Sequence, residues 1–167
     1  NVEEGVLLKI IAKPGETIMG LKLASEEDRK RCLEKVTVAG SLAELCRDSQ
    51  VIVAVDQAEN LGHLSEAAVR AGSTIQVVIE IDIGMGRCGV QPGESAVSLA
   101  QLSSEMDGLH FAGVMGYEGH TVFEPDPEHR SRNVQKAMQK LVGTAECIRN
   151  AGLNVEIVSA GGTGTYN

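Results

Sequence analysis

The chain has 167 residues, of which 43% are hydrophobic and 23% charged, and its formal net charge is −8. This acidic balance, the 2% aromatic content and the absence of Lys/Arg runs argue against binding to nucleic acid or to an anionic membrane. No apolar run approaches the roughly 20 residues of a membrane helix, and four scattered cysteines without a secretion signal predict a cytoplasmic protein.

The predicted elements alternate between strands and helices. The first 45 residues have the weakest pattern, with a strand predicted over 6–12 and a helix over 26–46 that breaks near Gly40. Apolar runs predict further strands over 51–55, 75–83, 109–115 and 155–158. Helical periodicity predicts helices over 61–71, 94–106 and 128–151, with Asn60 as N-cap of the first, Gly72 at its end and Gly152 ending the last.

This order predicts an α/β fold with a parallel sheet. A doubly wound sheet and a (β/α)₈ barrel both fit the order. A complete barrel needs roughly 250 residues, so four clear strands would make half of one. The chain starts without a methionine and stops just after a glycine-rich run, and we therefore expect a fragment of a longer protein.

The loop after the second clear strand reads GMGRCG over residues 84–89. Its glycines allow the backbone to turn tightly near a ligand, and Arg87 offers a planar set of donors to an oxygen. Glu80 and Asp82 alternate in the strand before it and would point to one face. A glycine-rich turn with a surface arginine is an equally good interpretation of the loop alone.

The loop after the third clear strand contains Tyr117 and His120, two side chains able to transfer protons. A lone histidine is more often structural, but the glycines and the position at a strand end make a catalytic role equally plausible. The other histidines, interpreted as solvated or helix-surface residues, are His63, His110 and His129. No spacing typical of metal ligands occurs.

The last loop reads SAGGTGTY over residues 159–166. Successive backbone N–H groups with the hydroxyls of Ser159, Thr163 and Thr165 would form an anion-binding cradle. The loop lacks the lysine of a P-loop and the GxGxxG pattern of a dinucleotide site. It therefore predicts a site for a phosphate monoester.

Three segments, IEIDIGMGRCGV, GLHFAGVMGYEGH and EIVSAGGTGTY, together resemble the D-threonine aldolase and D-serine dehydratase group. These are pyridoxal-phosphate enzymes with an alanine-racemase-like barrel, and the resemblance covers about residues 41–166. It implies a partial (β/α)₈ TIM barrel with parallel strands, forming one partial domain over 1–167. Residues 1–40 stay unassigned, and the C-terminal β-domain of the group is absent.

The resemblance also implies roles for individual residues. Arg87 would lie near the phenolic oxygen of the pyridoxal ring, Tyr117 near the ring, and His120 on the substrate side. The group's Schiff-base lysine motif is absent; Lys9 and Lys13 do not match it, and neither is assigned. The cofactor phosphate would be held by Gly161, Gly162, Thr163, Gly164 and Thr165, with Ser159 and Tyr166 nearby.

The function implied is a pyridoxal-phosphate-dependent lyase acting on D-β-hydroxy-amino acids, most closely a D-threonine aldolase that forms glycine and an aldehyde. The alternatives are elimination of the D-serine dehydratase type, a pyridoxal-phosphate-binding protein without catalysis, and a truncated chain that binds nothing. The resemblance implies Mn or Zn on ligands outside this chain and a homodimeric parent enzyme. We expect the 167-residue chain alone to be inactive.

Overall fold

The computed structural model describes residues 38–165, so the strand predicted over 6–12 and the residues Lys9, Lys13 and Tyr166 lie outside the described part. Strands and helices alternate along it. They are α1 (Val38–Leu45), β1 (Ile52–Val55), α2 (Ala58–Ala71), β2 (Ile75–Glu80), α3 (Glu94–Glu105), β3 (Leu109–Met115), a 3₁₀ turn (Gly119–Thr121), α4 (Pro127–Asn150) and β4 (Ile157–Ser159).

The four strands form one parallel sheet in the order β1-β2-β3-β4. Each strand therefore lies beside the next one in the chain. A doubly wound sheet reverses its strand order at a switch point, and no reversal occurs among these four strands. The sheet is that of a section of a (β/α) barrel, which confirms the predicted fold class.

Apolar side chains fill both faces of the sheet. On one face, Val77 and Ile79 of β2 pack with the apolar sides of α2, α3 and α4 in the main core. On the other face, Val78 of β2 meets Ala112 and Met115 of β3 in a smaller cluster. No helix within residues 38–165 is long and apolar enough to span a membrane.

One extra residue in β3 changes the register of the sheet. Val77 pairs with Phe111, but the next residue, Val78, pairs with Gly113, so Ala112 has no counterpart on β2. Gly113 has a φ of +153° and lies against the backbone of Ile157 in β4. A β-bulge of this kind bends a strand and increases its twist, as a curved sheet requires.

The predictions for the helix ends are confirmed only in part. Gly72 has the left-handed φ of +63° expected of a residue that stops a helix. The prediction that Asn60 caps α2 is wrong: the cap is Gln57, and the first turn carries Glu59, whose charge suits the positive end of the helix dipole. Gly40 itself lies within α1, so the helix predicted over 26–46 has no break at this residue, and its part before Val38 lies outside the described residues.

Two further boundaries differ from prediction. The longest helix, α4, begins at Pro127, and the carboxylate of Asp126 caps it by accepting hydrogen bonds from the backbone N–H groups of Glu128 and His129. The last strand starts at Ile157 rather than Val155, because its pairing with β3 begins at Gly113, after the bulge.

Candidate functional site

Three loops lie side by side at the carboxyl ends of the strands. They are 84–90 after β2, 116–121 after β3 and 160–165 after β4. In parallel α/β folds this edge of the sheet carries the ligand sites. A cavity of about 230 Å³ opens between the loops, and its walls are formed by Glu80, Arg87, Met115, Gly116, Tyr117, Ser159, Ala160 and Gly161.

The loop after β2 is folded by carboxylates at strand ends. Asp82 accepts hydrogen bonds at Oδ1 from the backbone N–H groups of Gly84 (3.0 Å) and Gly86 (2.9 Å). Asp56, which follows β1, accepts one at Oδ2 from the N–H of Gly89 at 2.9 Å. These bonds hold both ends of the turn that carries Arg87. Burial alone would raise the pKa of Asp82, but the N–H groups around it bring that pKa below its usual value.

Arg87 and Tyr117, which are predicted to lie near the pyridoxal ring, lie close to each other in the structure. The guanidinium carbon of Arg87 lies 5.9 Å from the centroid of the Tyr117 ring, within the range of a cation–π contact. The Tyr117 ring fits a slot between two glycines: a Cβ added at Gly119 would lie 2.9 Å from Cζ, and one at Gly162 would lie 3.0 Å from Cε2. The slot therefore fixes the ring beside the cavity.

His120 lies at the rim of this site. Its side chain is exposed, and the ring covers Gly84 so closely that a Cβ there would lie 2.8 Å from Cε1. The structure therefore brings His120 against the loop after β2, but not into the cavity wall.

The glycine-rich loop after β4 forms a closed turn. The N–H of Thr165 donates to the carbonyl oxygen of Gly162, and the N–H of Gly162 donates to Oγ1 of Thr165, both at 3.1 Å. Gly161 donates its N–H to Oε2 of Glu118 at 3.2 Å. Three of the five residues in the predicted cradle therefore have donors that are already used inside the protein.

The remaining donors lie at the tip of the turn and beside the cavity. Thr163 and Gly164 are exposed, and within residues 38–165 their backbone N–H groups have no hydrogen-bond partner. Ser159 borders the cavity. An anion at this loop would therefore be bound by Ser159, Thr163 and Gly164 rather than by the whole run.

Sequence reasoning missed two acidic residues that shape the site. Glu118 is 1% exposed and holds the last loop, while Asp56 holds the loop after β2. The available signal was their position: Asp56 comes directly after a predicted strand, and Glu118 comes three residues after the end of another. No group of three or more His, Cys, Asp or Glu side chains in the described part of the chain is arranged to hold a metal.

Glu80 is the buried acid of the cavity wall. Burial raises its pKa, the nearby charge of Asp56 raises it further, and the guanidinium of Arg87 counters part of the effect. Protonation of Glu80 is thus more favourable in the folded state than in the unfolded chain. Its contribution to stability is complete below the pKa of an unfolded glutamate and is lost as pH rises through the higher folded pKa.

We therefore expect Glu80→Gln to raise the free energy of unfolding at pH 7, relative to the unmodified chain, more than it does at pH 4. The amide keeps the shape of the side chain but cannot ionise, so it removes the cost that appears at higher pH. Urea unfolding at the two pH values measures the difference. The exposed Glu146→Gln on α4 is the control, and the same response from both variants would contradict the expectation.

Comparison with known proteins identifies the family. Residues 8–167 match the family model described as alanine racemase, N-terminal domain. The chain belongs to the alanine racemase N-terminal domain family. A D-threonine aldolase from an Arthrobacter species is similar to this chain, being 35% identical over 124 residues, which are 74% of this chain and 33% of the relative. A 3-hydroxy-D-aspartate aldolase from Paracoccus denitrificans is 34% identical over 116 residues, covering 70% of this chain and 30% of the relative.

Solved structures show the same alanine-racemase-type domain. The D-threonine aldolase from Filomicrobium marinum superposes with a TM-score of 0.76 at 39% identity, over 78% of this chain and 35% of that one. The D-threo-3-hydroxyaspartate dehydratase from Delftia sp. HT23 superposes with a TM-score of 0.64 at 22% identity, over 84% and 41%, and shares the fold. The chain spans about a third of the length of the two aldolases from Arthrobacter and Paracoccus denitrificans.

Proposed function

We propose that this chain supplies the phosphate-binding side of a pyridoxal-phosphate site in a lyase that acts on D-β-hydroxy-amino acids. The observation that carries the proposal is the cavity at the strand ends, which is lined by Arg87, Tyr117 and the loop 159–161. The aldolases named above, at 34–39% identity, support this substrate class.

The donors of the site fit the phosphate of this cofactor. The N–H groups of Thr163 and Gly164, which have no hydrogen-bond partner among residues 38–165, and the hydroxyl of Ser159 can donate to phosphate oxygens, as turns of successive N–H groups do in other anion sites. Arg87 can donate to an oxygen of the pyridoxal ring, and Tyr117 offers its ring beside the same space. The cavity wall thus combines a cationic and an aromatic side chain with Ser159, and Thr163 and Gly164 lie at the exposed tip of the same loop.

Pyridoxal phosphate supplies an electron sink that makes cleavage next to an amino-acid Cα possible. The protein's part is to hold and orient the reacting groups. Arg87 would hold a ring oxygen, Tyr117 would limit the movement of the ring, and Met115 gives the cavity wall an apolar surface. We propose that His120, at the rim, faces the substrate side and holds a proton there.

The aldolase reaction is the better-supported of the two lyase reactions considered. The aldolase relatives are 34–39% identical to this chain, whereas the dehydratase structure is 22% identical and supports the fold alone. We propose that residues 1–167 act as one partial barrel domain of a homodimeric enzyme, with metal ligands outside this chain.

The test is the visible spectrum of the chain with added pyridoxal phosphate, before and after borohydride. We expect the absorption band to shift on binding, and Arg87→Ala to weaken binding about tenfold or more, the worth of a hydrogen bond to a charged group. The control is Arg132→Ala, an exposed arginine on α4. An unshifted band, or equal binding by both variants, would contradict the proposal, and a lysine fixed by borohydride would identify the covalent anchor.

A further inference from the structure

Glu118 is an acidic side chain buried at the end of β3. It is 1% exposed, and both carboxylate oxygens accept hydrogen bonds from the loop after β4: Oε2 from the N–H of Gly161 at 3.2 Å and Oε1 from the hydroxyl of Thr165. Its own carbonyl oxygen accepts from the N–H and the hydroxyl of Thr121, both at 2.9 Å. The residue is therefore fixed at its backbone and at its side chain.

Burying the Glu118 carboxylate lowers the free energy of unfolding. Removing a carboxylate from water is unfavourable unless charged or polar partners replace the water. Among residues 38–165, no Lys or Arg lies within ion-pair distance of Glu118, so its partners are one N–H group and one hydroxyl. A neutral or apolar residue at this position would be buried at a smaller cost in free energy. We therefore infer that the carboxylate serves to accept hydrogen bonds from the loop after β4.

The contacts determine which donors of the loop face outward. Thr165 is held by Glu118 and closes the turn with Gly162, while Gly161 is held directly. With these three residues tied to the protein, the turn is fixed with Thr163 and Gly164 at its exposed tip. A preorganised set of donors binds an anion more tightly, because binding does not have to order the loop.

We propose that Glu118 is a positioning residue that fixes the glycine-rich loop from the protein side, so that Thr163 and Gly164 present their N–H groups to a phosphate ester. The proposal rests on the proposed function of this site. The role is specific to the phosphate: Glu118 acts through Gly161 and Thr165, and it is absent from the cavity wall beside Arg87 and Tyr117.

The experiment compares two probes, pyridoxal phosphate and pyridoxal, which differ only in the phosphate. Glu118→Gln keeps the shape of the side chain but replaces one acceptor oxygen with a donor, so one contact to the loop is lost. We expect this variant to bind pyridoxal phosphate about tenfold more weakly, or roughly 1.4 kcal/mol, with unchanged affinity for pyridoxal. The matched control is the exposed Glu128→Gln on α4.

Variants at Thr165 test the proposal even if Glu118→Gln does not fold. Thr165→Val removes the hydroxyl that Glu118 accepts from and retains the branched shape, and Thr165→Ser retains the hydroxyl. If the two residues act as one unit, the double variant Glu118→Gln/Thr165→Val loses no more affinity than the larger single loss, and Thr165→Ser loses little. Fully additive losses in this double-mutant cycle would overturn the proposal.

Failure of this inference can be separated from failure of the proposed function. If the unmodified chain binds neither probe, the proposed function is wrong and this inference with it. If it binds pyridoxal phosphate more tightly than pyridoxal and Glu118→Gln leaves that preference unchanged, only the role of Glu118 is overturned. Equal losses for both probes would indicate general loosening of the fold and would also overturn it.

Discussion

Replacing Gly113 by alanine should lower the free energy of unfolding by roughly 3 kcal/mol or more. Gly113 has a φ of +153°, which L side chains rarely adopt, and an added Cβ would lie 2.8 Å from both the carbonyl carbon and the nitrogen of Ile157. The atoms it meets belong to the backbone of the neighbouring strand, so no side-chain rotation relieves the clash. β3 and β4 would have to separate.

Urea unfolding followed by far-ultraviolet circular dichroism measures this effect. Gly143→Ala is the matched control, because Gly143 is in the interior of α4 with no atom within 4 Å of an added Cβ. The control should stabilise the chain by up to about 1 kcal/mol through helix propensity. An unchanged unfolding midpoint for Gly113→Ala would contradict the close approach of the two strands.

Replacing Gly119 by alanine should displace the Tyr117 ring and weaken binding of pyridoxal phosphate by about tenfold, because an aromatic contact is worth roughly 0.5–1.5 kcal/mol. The new Cβ would overlap the ring and lie 2.9 Å from Cζ, and Gly162 on the other side of the slot prevents the ring from moving away. Gly162→Ala should have a smaller effect, because its closest ring atom is at 3.0 Å.

Two measurements separate this displacement from loss of the fold. Titration with pyridoxal phosphate gives the affinity, and near-ultraviolet circular dichroism reports the surroundings of the two tyrosine rings of the chain, of which Tyr117 is one. Gly62→Ala in α2, where nothing lies within 4 Å of the added Cβ, is the control and should bind as the unmodified chain does. Unchanged affinity in Gly119→Ala would show that the position of Tyr117 does not matter for binding.

Local patterns were sufficient to predict most elements from β1 onward. The run 109–115 was predicted at its observed bounds, and the left-handed Gly72 was identified from its place after an apolar stripe. Ends set by tertiary contacts were not predictable in this way. The start of β4 depends on a bulge at Ala112 in another strand, and a single apolar run carries no information about its partner's register.

The candidate site shows the same division. Arg87 and Tyr117 were identified from loops that follow strands, and the structure places them beside one cavity, although their roles stay proposals. It could not be predicted which N–H groups of the glycine-rich loop donate to the protein and which face outward. Whether Gly161 points its N–H toward a ligand or toward Glu118 depends on a residue 43 positions away, and composition does not show such a contact.

The carboxylates that connect neighbouring loops limit how this edge of the sheet can diversify. Asp56 ties the segment after β1 to the loop after β2, and Glu118 ties the segment after β3 to the loop after β4. A loop exchanged alone, by recombination or in the laboratory, would leave a strand-end carboxylate without its donor. Transplanting loops between relatives should therefore succeed in pairs. The segment after β1 would be exchanged together with the loop after β2, and the segment after β3 together with the loop after β4.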